Sequence, residues 1–283
     1  MAEIMSGAPV AALITERLSQ RLPALLAQGV TPRLAIVRVG GDGGKTAYER
    51  SAKKRCEALG LSAVSFVLPE DVGQGELMEL IARINRDDAI HGCILLRPLP
   101  PQLDEDAACE ALLPEKDVDG VTSMSLFSVF SARKGGFAPC TAQACMELLD
   151  YYGCTFRGLR AAVIGRSLVV GRPLAMLLQA RDATVTMCHS KTTGLARICR
   201  EQDIIVVAAG HAGLINRSFV APGQTIVDVG INVGSDGRLC GDVELASVEP
   251  IVRAVSPVPG GVGAITTAML ASHLVQAASA RLK

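Results

Sequence analysis

The chain has no tryptophan, and its 283 residues include only six phenylalanines and three tyrosines. Hydrophobic residues make up 49%, so the core must be built from aliphatic side chains. An excess of one charge is missing too: 28 Lys and Arg balance 28 Asp and Glu. A protein that binds nucleic-acid backbones needs a basic excess, so no nucleic-acid partner is expected. Long apolar runs are absent; the flattest, residues 204–210, is far short of the roughly 20 residues of a spanning helix. No membrane association is expected. Met1-Ala2-Glu3-Ile4-Met5 is not a basic segment leading into an apolar one, so no signal peptide is read and a cytoplasmic location follows. The nine cysteines are scattered and nowhere in C-x-x-C spacing, which points to buried, reduced thiols. His91, His189, His211 and His273 lie far apart, and no metal site is expected.

What remains is an alternation of strand-like and helix-like segments. Residues 11–26 carry Leu13, Leu18, Leu22 and Leu25 at helical spacing, with Pro23 inside the segment. Arg33–Val39 is a β-branched run, 46–59 a helix ending at Gly60, Ser62–Leu68 a strand, and 75–85 an amphipathic helix. A buried strand at 91–96 is stopped by Pro98, Pro100 and Pro101. A second series follows a helix at 142–152. Its strands are Arg160–Ile164, 184–187, 204–208, 225–229 and 254–257, with helices at 170–180 and 263–282. This order predicts an α/β chain of two lobes, each with a parallel sheet, and a cleft between them.

Three motifs carry chemistry. Gly165-Arg166-Ser167 to Gly171-Arg172-Pro173 joins a strand to a helix, a turn that offers backbone N–H groups and a positive helix end to a phosphate. As a bare pattern it departs from G-x-G-x-x-G, and an ordinary tight turn is the alternative. The following strand runs into His189-Ser190-Lys191 and not into the acid that would bind the ribose of NAD. Arg166, Ser190 and Lys191 instead suit a 2′-phosphate, which favours NADP. Gly40-Gly41-Asp42-Gly43-Gly44-Lys45-Thr46 imitates a P-loop but is one residue short, and Asp228 is its only fair partner for a metal. Pro257-Val258-Pro259-Gly260-Gly261-Val262-Gly263 combines fixed and side-chain-free backbone, able to lie flat against a ring. Asp117 and Asp119, in Lys116-Asp117-Val118-Asp119-Gly120, either read a donor-rich heterocycle or cap a loop.

Together these segments resemble the bifunctional methylenetetrahydrofolate dehydrogenase/methenyltetrahydrofolate cyclohydrolase family, the FolD-like proteins. Tyr48, Pro98-Leu99-Pro100, Pro139-Cys140-Thr141, Asp228-Val229-Gly230-Ile231-Asn232 and Gly241-Asp242-Val243 complete the series over nearly the whole chain. The resemblance implies a folate-binding catalytic lobe of residues 1–142 plus 264–283, a Rossmann-type NADP lobe of 143–263, an active site in the cleft, and a homodimer. By position, Tyr48 stacks along a tetrahydrofolate one-carbon derivative and Asp119 hydrogen-bonds its pterin. Leu96, Pro98, Pro259, Gly260, Gly261 and Val262 wall the substrate. Gly165, Arg166, Ser167, Ser190 and Ile231 contact the cofactor.

Two departures matter most. The family reads Y-x-x-x-K-x-K, but the first Lys position is Ala52, with Lys54 at the second. The family's Q-L-P-L-P reads Leu96-Arg97-Pro98-Leu99-Pro100, so the Gln that partners that Lys is Leu96, with Arg97 expected on the other face. The family first moves a hydride from the methylene bridge to the nicotinamide, which needs chiefly alignment. It then hydrolyses the methenyl cation, where general acid–base help is worth about 10²–10⁴ in rate. Ala52 and Leu96 have no exchangeable proton, so the dehydrogenase is expected to persist and the cyclohydrolase to be weak or lost. Lys45, three residues before Tyr48 where the family has a Ser, is a candidate replacement amine. Two other readings are a catalytically silent folate- or NADP-binding protein and a dehydrogenase for a modified pterin carrier.

Overall fold

The computed structural model describes residues 1–41, 43–234 and 237–282. In chain order its elements are β1 (Glu3–Ile4), α1 (Gly7–Leu26), β2 (Arg33–Val39), α2 (Gly43–Ala58), β3 (Ser62–Leu68), α3 (Gln74–Arg86) and β4 (Gly92–Leu95). Then follow α4 (Glu105–Glu110), α5 (Ser123–Ser131), α6 (Cys140–Tyr151), β5 (Arg160–Ile164), α7 (Gly171–Gln179), β6 (Thr184–Cys188), α8 (Leu195–Arg200) and β7 (Ile204–Val207). The chain closes with β8 (Thr225–Asp228), β9 (Asn232–Val233), β10 (Leu239–Cys240), α9 (Leu245–Val248), β11 (Ala254–Val255), a 3-10 turn (Val262–Ala264) and α10 (Thr266–Ala280).

Two compact units emerge, Leu13–Cys140 with Thr267–Lys283, and Met1–Ala12 with Thr141–Thr266. In the first, β2 is the centre of a parallel sheet ordered β3-β2-β4. Helix α3 buries Leu77, Leu80, Ile81 and Ile84, the i, i+3, i+4, i+7 stripe of an amphipathic helix, into the cluster around Val37 and Leu95. The end of α3 is capped by a buried ammonium. Lys116, only 1% exposed, donates from Nζ to the carbonyls of Ile84, Asn85 and Asp87 at 2.6, 2.8 and 2.8 Å. Two of those carbonyls also accept backbone N–H groups, Ile84 from Asp87 at 3.3 Å and Asp87 from Ile90 at 3.1 Å, and the negative helix end favours a cation there.

The second unit holds a six-stranded sheet ordered β1-β11-β8-β7-β5-β6, with all pairings parallel. Strands β7 and β8 are buried throughout; β7 is apolar at every position, and β8 carries Ile226 and Val227 between Thr225 and Asp228. After β5 the chain runs outward to β6, then returns to β7 on the other side of β5. That reversal creates a crevice at the strands' carboxyl ends, where ligands of such sheets bind. The antiparallel ribbon β9–β10 stands apart from this sheet.

Strands β2, β3 and β5 match their expected bounds. The expected division, however, placed residues 1–12 with the first lobe. The pairing of Glu3 with Ala254 and Ile4 with Val255 makes β1 an edge of the second sheet, and residues 1–12 group with that unit. Helix α2 starts at Gly43, so Gly43, Gly44 and Lys45 of the P-loop-like segment are its first helical residues; Asp42 lies outside the described residues.

Candidate active site

In the first unit, the expected substrate residues come from α2, the end of β4, and the segment that follows α4. The last is brought alongside β4 by a parallel bridge between Cys93 and Asp117. Its two carboxylates have different fates. Asp117 is wholly buried and accepts from the N–H groups of Gly120, Val121 and Thr122 at 2.9, 3.0 and 2.8 Å, and from the Thr122 hydroxyl at 2.8 Å. It builds its own loop. Asp119 takes no such backbone role and lies within electrostatic reach of Tyr48 and Cys140. Burial raises the Asp119 carboxyl above the usual range, with Arg97 opposing and Asp117 reinforcing.

Tyr48 is half-buried on α2, and burial, then Asp119 and Cys140, push its phenol up, so the hydroxyl stays protonated. The Cys140 thiol lies 3.3 Å from the Val118 carbonyl and 3.6 Å from His273 Nδ1. Burial and then Asp119 hold that thiol well above its ordinary value. His273 donates from Nδ1 to the Val118 carbonyl at 2.9 Å, and burial lowers its pKa, so it is neutral. Sequence reasoning had set both residues aside as packing. The Pro-Cys-Thr motif was the available signal for Cys140.

One helical turn after Tyr48, Ala52 is 1% exposed, and Leu96 is 5% exposed. Both are hydrocarbon. Lys53 does not face that side; its Nζ sits 3.0 Å from Glu49 Oε1. Glu49 also accepts from Arg38 Nε at 2.8 Å and from the Ser65 hydroxyl. Burial opposes its ionisation, yet the bonds from Ser65, Arg38 and Lys53 outweigh burial and take the carboxyl to about 2. Lys45 is half-buried in the first turn of α2. Pro98 is exposed and follows a cis peptide bond. Strand β4 ends at Leu95, so pleat alternation does not govern residue 97, and the Arg97 charge is felt at Asp119. Its ion pair, Nη1 to Glu105 Oε1 at 3.8 Å, is loose.

In the second unit, Gly165, Arg166 and Ser167 after β5, Ser190 after β6, and Ala208 and Ala209 after β7 line one cavity of about 500 Å3. This is the crevice where the strand order reverses. Gly165 has φ +122°, and a Cβ there would lie 2.1 Å from the Ala208 carbonyl oxygen. The expected donation from the α7 terminus is partly pre-empted. Ser167 accepts from Val170 N–H at its hydroxyl (3.1 Å) and from Arg172 N–H at its carbonyl (3.0 Å). The cavity lining includes no carboxylate, and Arg166, Ser167, Ser190 and Thr192 suit a polyanion. Lys191 is exposed and outside that lining.

Ile231 lies elsewhere in the same unit, in a second cavity of about 340 Å3 whose lining includes Val229, Gly230, Pro259, Gly260 and Gly261. Val262 is buried and outside that lining. The glycines of this loop serve the chain's own packing as well. A Cβ on Gly261 would lie 2.5 Å from the Pro257 carbonyl oxygen, and Gly260 accepts from the Gly7 N–H at 2.8 Å. The Asp228 carboxylate accepts from the N–H groups of Gly230, Asp242 and Val243.

Two family profiles match: the tetrahydrofolate dehydrogenase/cyclohydrolase catalytic domain over residues 5–119, and the NAD(P)-binding domain of the same name over 139–282. The bifunctional protein FolD of Carboxydothermus hydrogenoformans is 46% identical over 279 residues, 98% of this chain and 97% of that protein. Among solved structures, the bifunctional FolD methylenetetrahydrofolate dehydrogenase/cyclohydrolase of Campylobacter jejuni superposes with a TM-score of 0.97 at 36% identity, covering 99% of this chain and 100% of that one. The Trypanosoma brucei FolD, complexed with NADP cofactor and inhibitor, gives 0.94 at 33% identity, covering 100% and 99%.

Proposed function

The chain belongs to the tetrahydrofolate dehydrogenase/cyclohydrolase family, and from that premise we propose that it oxidises 5,10-methylenetetrahydrofolate to 5,10-methenyltetrahydrofolate with NADP, while hydrolysis of the product to 10-formyltetrahydrofolate is weak or lost. The observation that carries the second half is the buried hydrocarbon at Ala52 and Leu96. Neither side chain can hold, donate or accept a proton.

The cofactor, when bound, supplies the nicotinamide that accepts the hydride. Arg166 and Ser190 hold its 2′-phosphate in this reading, supported by their shared cavity and by the lack of a carboxylate in its lining. Ile231 and the Pro259–Gly261 stretch bound the second cavity. In the first unit, Tyr48 offers a ring face and a protonated phenol, and Asp119 offers its carboxyl to the pterin. Hydride departure leaves a cation delocalised over two nitrogens, so alignment by Tyr48 and Asp119 suffices for that step. Hydrolysis differs, because protons must travel from water to the departing nitrogen. Arg97 cannot substitute there, since a guanidinium stays protonated at working pH.

NADPH formation and methenyl absorbance followed together test the proposal. NADPH appearing while methenyl accumulates to the level set by its spontaneous hydrolysis supports it. Methenyl vanishing faster than it does without protein refutes the second half, and no NADPH refutes the first. A dehydrogenase for a modified pterin carrier is the second reading, favoured by one observation: the Arg97 charge is felt at Asp119. Failure on methylenetetrahydrofolate with NADPH formed from a derivatised pterin would select it. We also read the protein as a cytoplasmic homodimer joined through the cofactor unit. Nine free cysteines suit a reducing compartment, and exposed Val233 on the β9–β10 ribbon suits an interface. Light scattering would settle the dimer.

A further inference from the structure

Two buried carboxylates lie side by side in the second unit, and neither has a cationic partner among the described residues. Asp242 accepts from the N–H groups of Ala209 and Gly210 at Oδ2 (2.6 and 2.9 Å). Its Oδ1 accepts from His211 N–H at 2.8 Å and Asn232 Nδ2 at 2.9 Å. Asp228 in turn accepts from the N–H groups of Gly230 and Asp242, each at 3.0 Å, and Val243 at 2.9 Å. Seven donors therefore converge on two carboxylates. Buried charge of this kind is tolerated only when donors surround it.

Space for the pair is made by glycines. A Cβ on Gly230 would lie 2.3 Å from Asp242 Cγ, and one on Gly241 would lie 1.8 Å from Asp228 Oδ2. The segments held are the walls already described. Ala209 and His211 line the cavity of Arg166 and Ser190, and Gly230 lines the cavity of Ile231. Both walls hang from one carboxylate pair, which fixes their separation before any ligand arrives and removes an ordering cost from binding.

We propose that Asp242, backed by Asp228, is a positioning residue for the dinucleotide. It registers the wall of one cavity against the wall of the other, so that both halves of a single cofactor are met at once. The proposal rests on the cofactor reading given above.

The test is Asp242→Asn, which keeps the size but replaces one acceptor oxygen by a donor that faces backbone N–H groups. The KM for NADP should rise about tenfold or more, while the KM for methylenetetrahydrofolate and kcat at saturating NADP stay within about threefold. A folded variant with an unchanged NADP KM overturns the proposal, even if its melting temperature falls. If Asp242→Asn does not fold, Asn232→Ala removes one donor and leaves both carboxylates in place. It should raise the NADP KM a few-fold, and no rise overturns the proposal. Calorimetric titration of wild type and variant with NADP alone reads the same ratio without turnover, so failure of the proposed activity and failure of this inference are told apart.

Discussion

The two units depart unequally from the chemistry their family implies. In the cofactor unit, Gly165, Arg166, Ser167 and Ser190 share one cavity, and a buried carboxylate pair holds its wall. In the substrate unit, Tyr48 and Asp119 are in place, but the two positions that would move protons, Ala52 and Leu96, are buried hydrocarbon. Under the proposed function, hydride transfer depends mainly on where two rings are held and is expected to survive a change that removes proton donors, whereas hydrolysis depends on those donors and is expected not to. Change at two positions of one unit would then separate the family's two reactions.

The strongest way to break this contrast is to refill the hydrocarbon. Ala52→Lys together with Leu96→Gln should accelerate methenyl hydrolysis by up to about 10²–10⁴, read as faster decay of methenyl absorbance, with NADPH formation changed by less than about threefold. A folded double variant with no gain would show that the missing protons are not what limits the second step. Next in size is the cofactor side. Arg166→Gln removes a charge-assisted contact and should raise the NADP KM on the order of 10- to 100-fold while altering the NAD KM far less. Equal loss for both cofactors would move Arg166 away from the 2′-phosphate.

Two carboxylates sharpen the comparison through pH. Glu49, in the substrate unit, is cation-paired and sits at about 2, below its usual 4.5. Its contribution to stability is complete above pH 4.5 and is lost as the pH falls through 2. Asp228, in the cofactor unit, is raised from 3.8 to about 6 by burial, then by Asp242, with three backbone N–H groups opposing. Its contribution is present below pH 3.8 and lost as the pH rises through 6. Urea unfolding across that range should therefore show opposite changes in slope for Glu49→Gln and Asp228→Asn. At neutral pH the Glu49→Gln variant should lose about 1–3 kcal/mol. Slopes of the same sign would contradict these environments. The smallest expected effect belongs to Lys45→Ala, which should leave turnover within about twofold; a larger fall in methenyl hydrolysis would make Lys45 the replacement amine.

Much of this was legible in the chain itself, where periodicity was strong. Strands β2, β3 and β5 matched to the residue: β2 and β5 carry buried apolar runs, and β3, half-buried at the sheet edge, is rich in strand-favouring Val and Phe. Helices α4, α5, α8 and α9 span six, nine, six and four residues, too short to show a repeating stripe. Asp117 and Asp119 could not be told apart by residue type, since both are loop carboxylates; the resemblance picked Asp119, and the backbone N–H groups that fold onto Asp117 give the physical difference. Ser167, expected to contact the cofactor, does line the cavity, and its hydroxyl also accepts from the N–H of Val170 at the start of its own helix, a bond that sequence does not reveal. Residue 97 lies past the last residue of β4, where strand alternation no longer predicts a face.

Strand β1 has a consequence for how the molecule is made. Glu3 and Ile4 find their partners at Ala254 and Val255, so this strand is joined by one synthesised about 250 residues later. At about 5–20 residues per second, translation leaves that edge unmatched for on the order of ten to fifty seconds. The whole first unit's sheet, β3-β2-β4, can assemble on the ribosome in that interval while residues 1–12 wait. An amino-terminal tag or fusion would therefore burden the last pairing to form, and the chain cannot be cut at a single point to release the cofactor unit with its sheet complete.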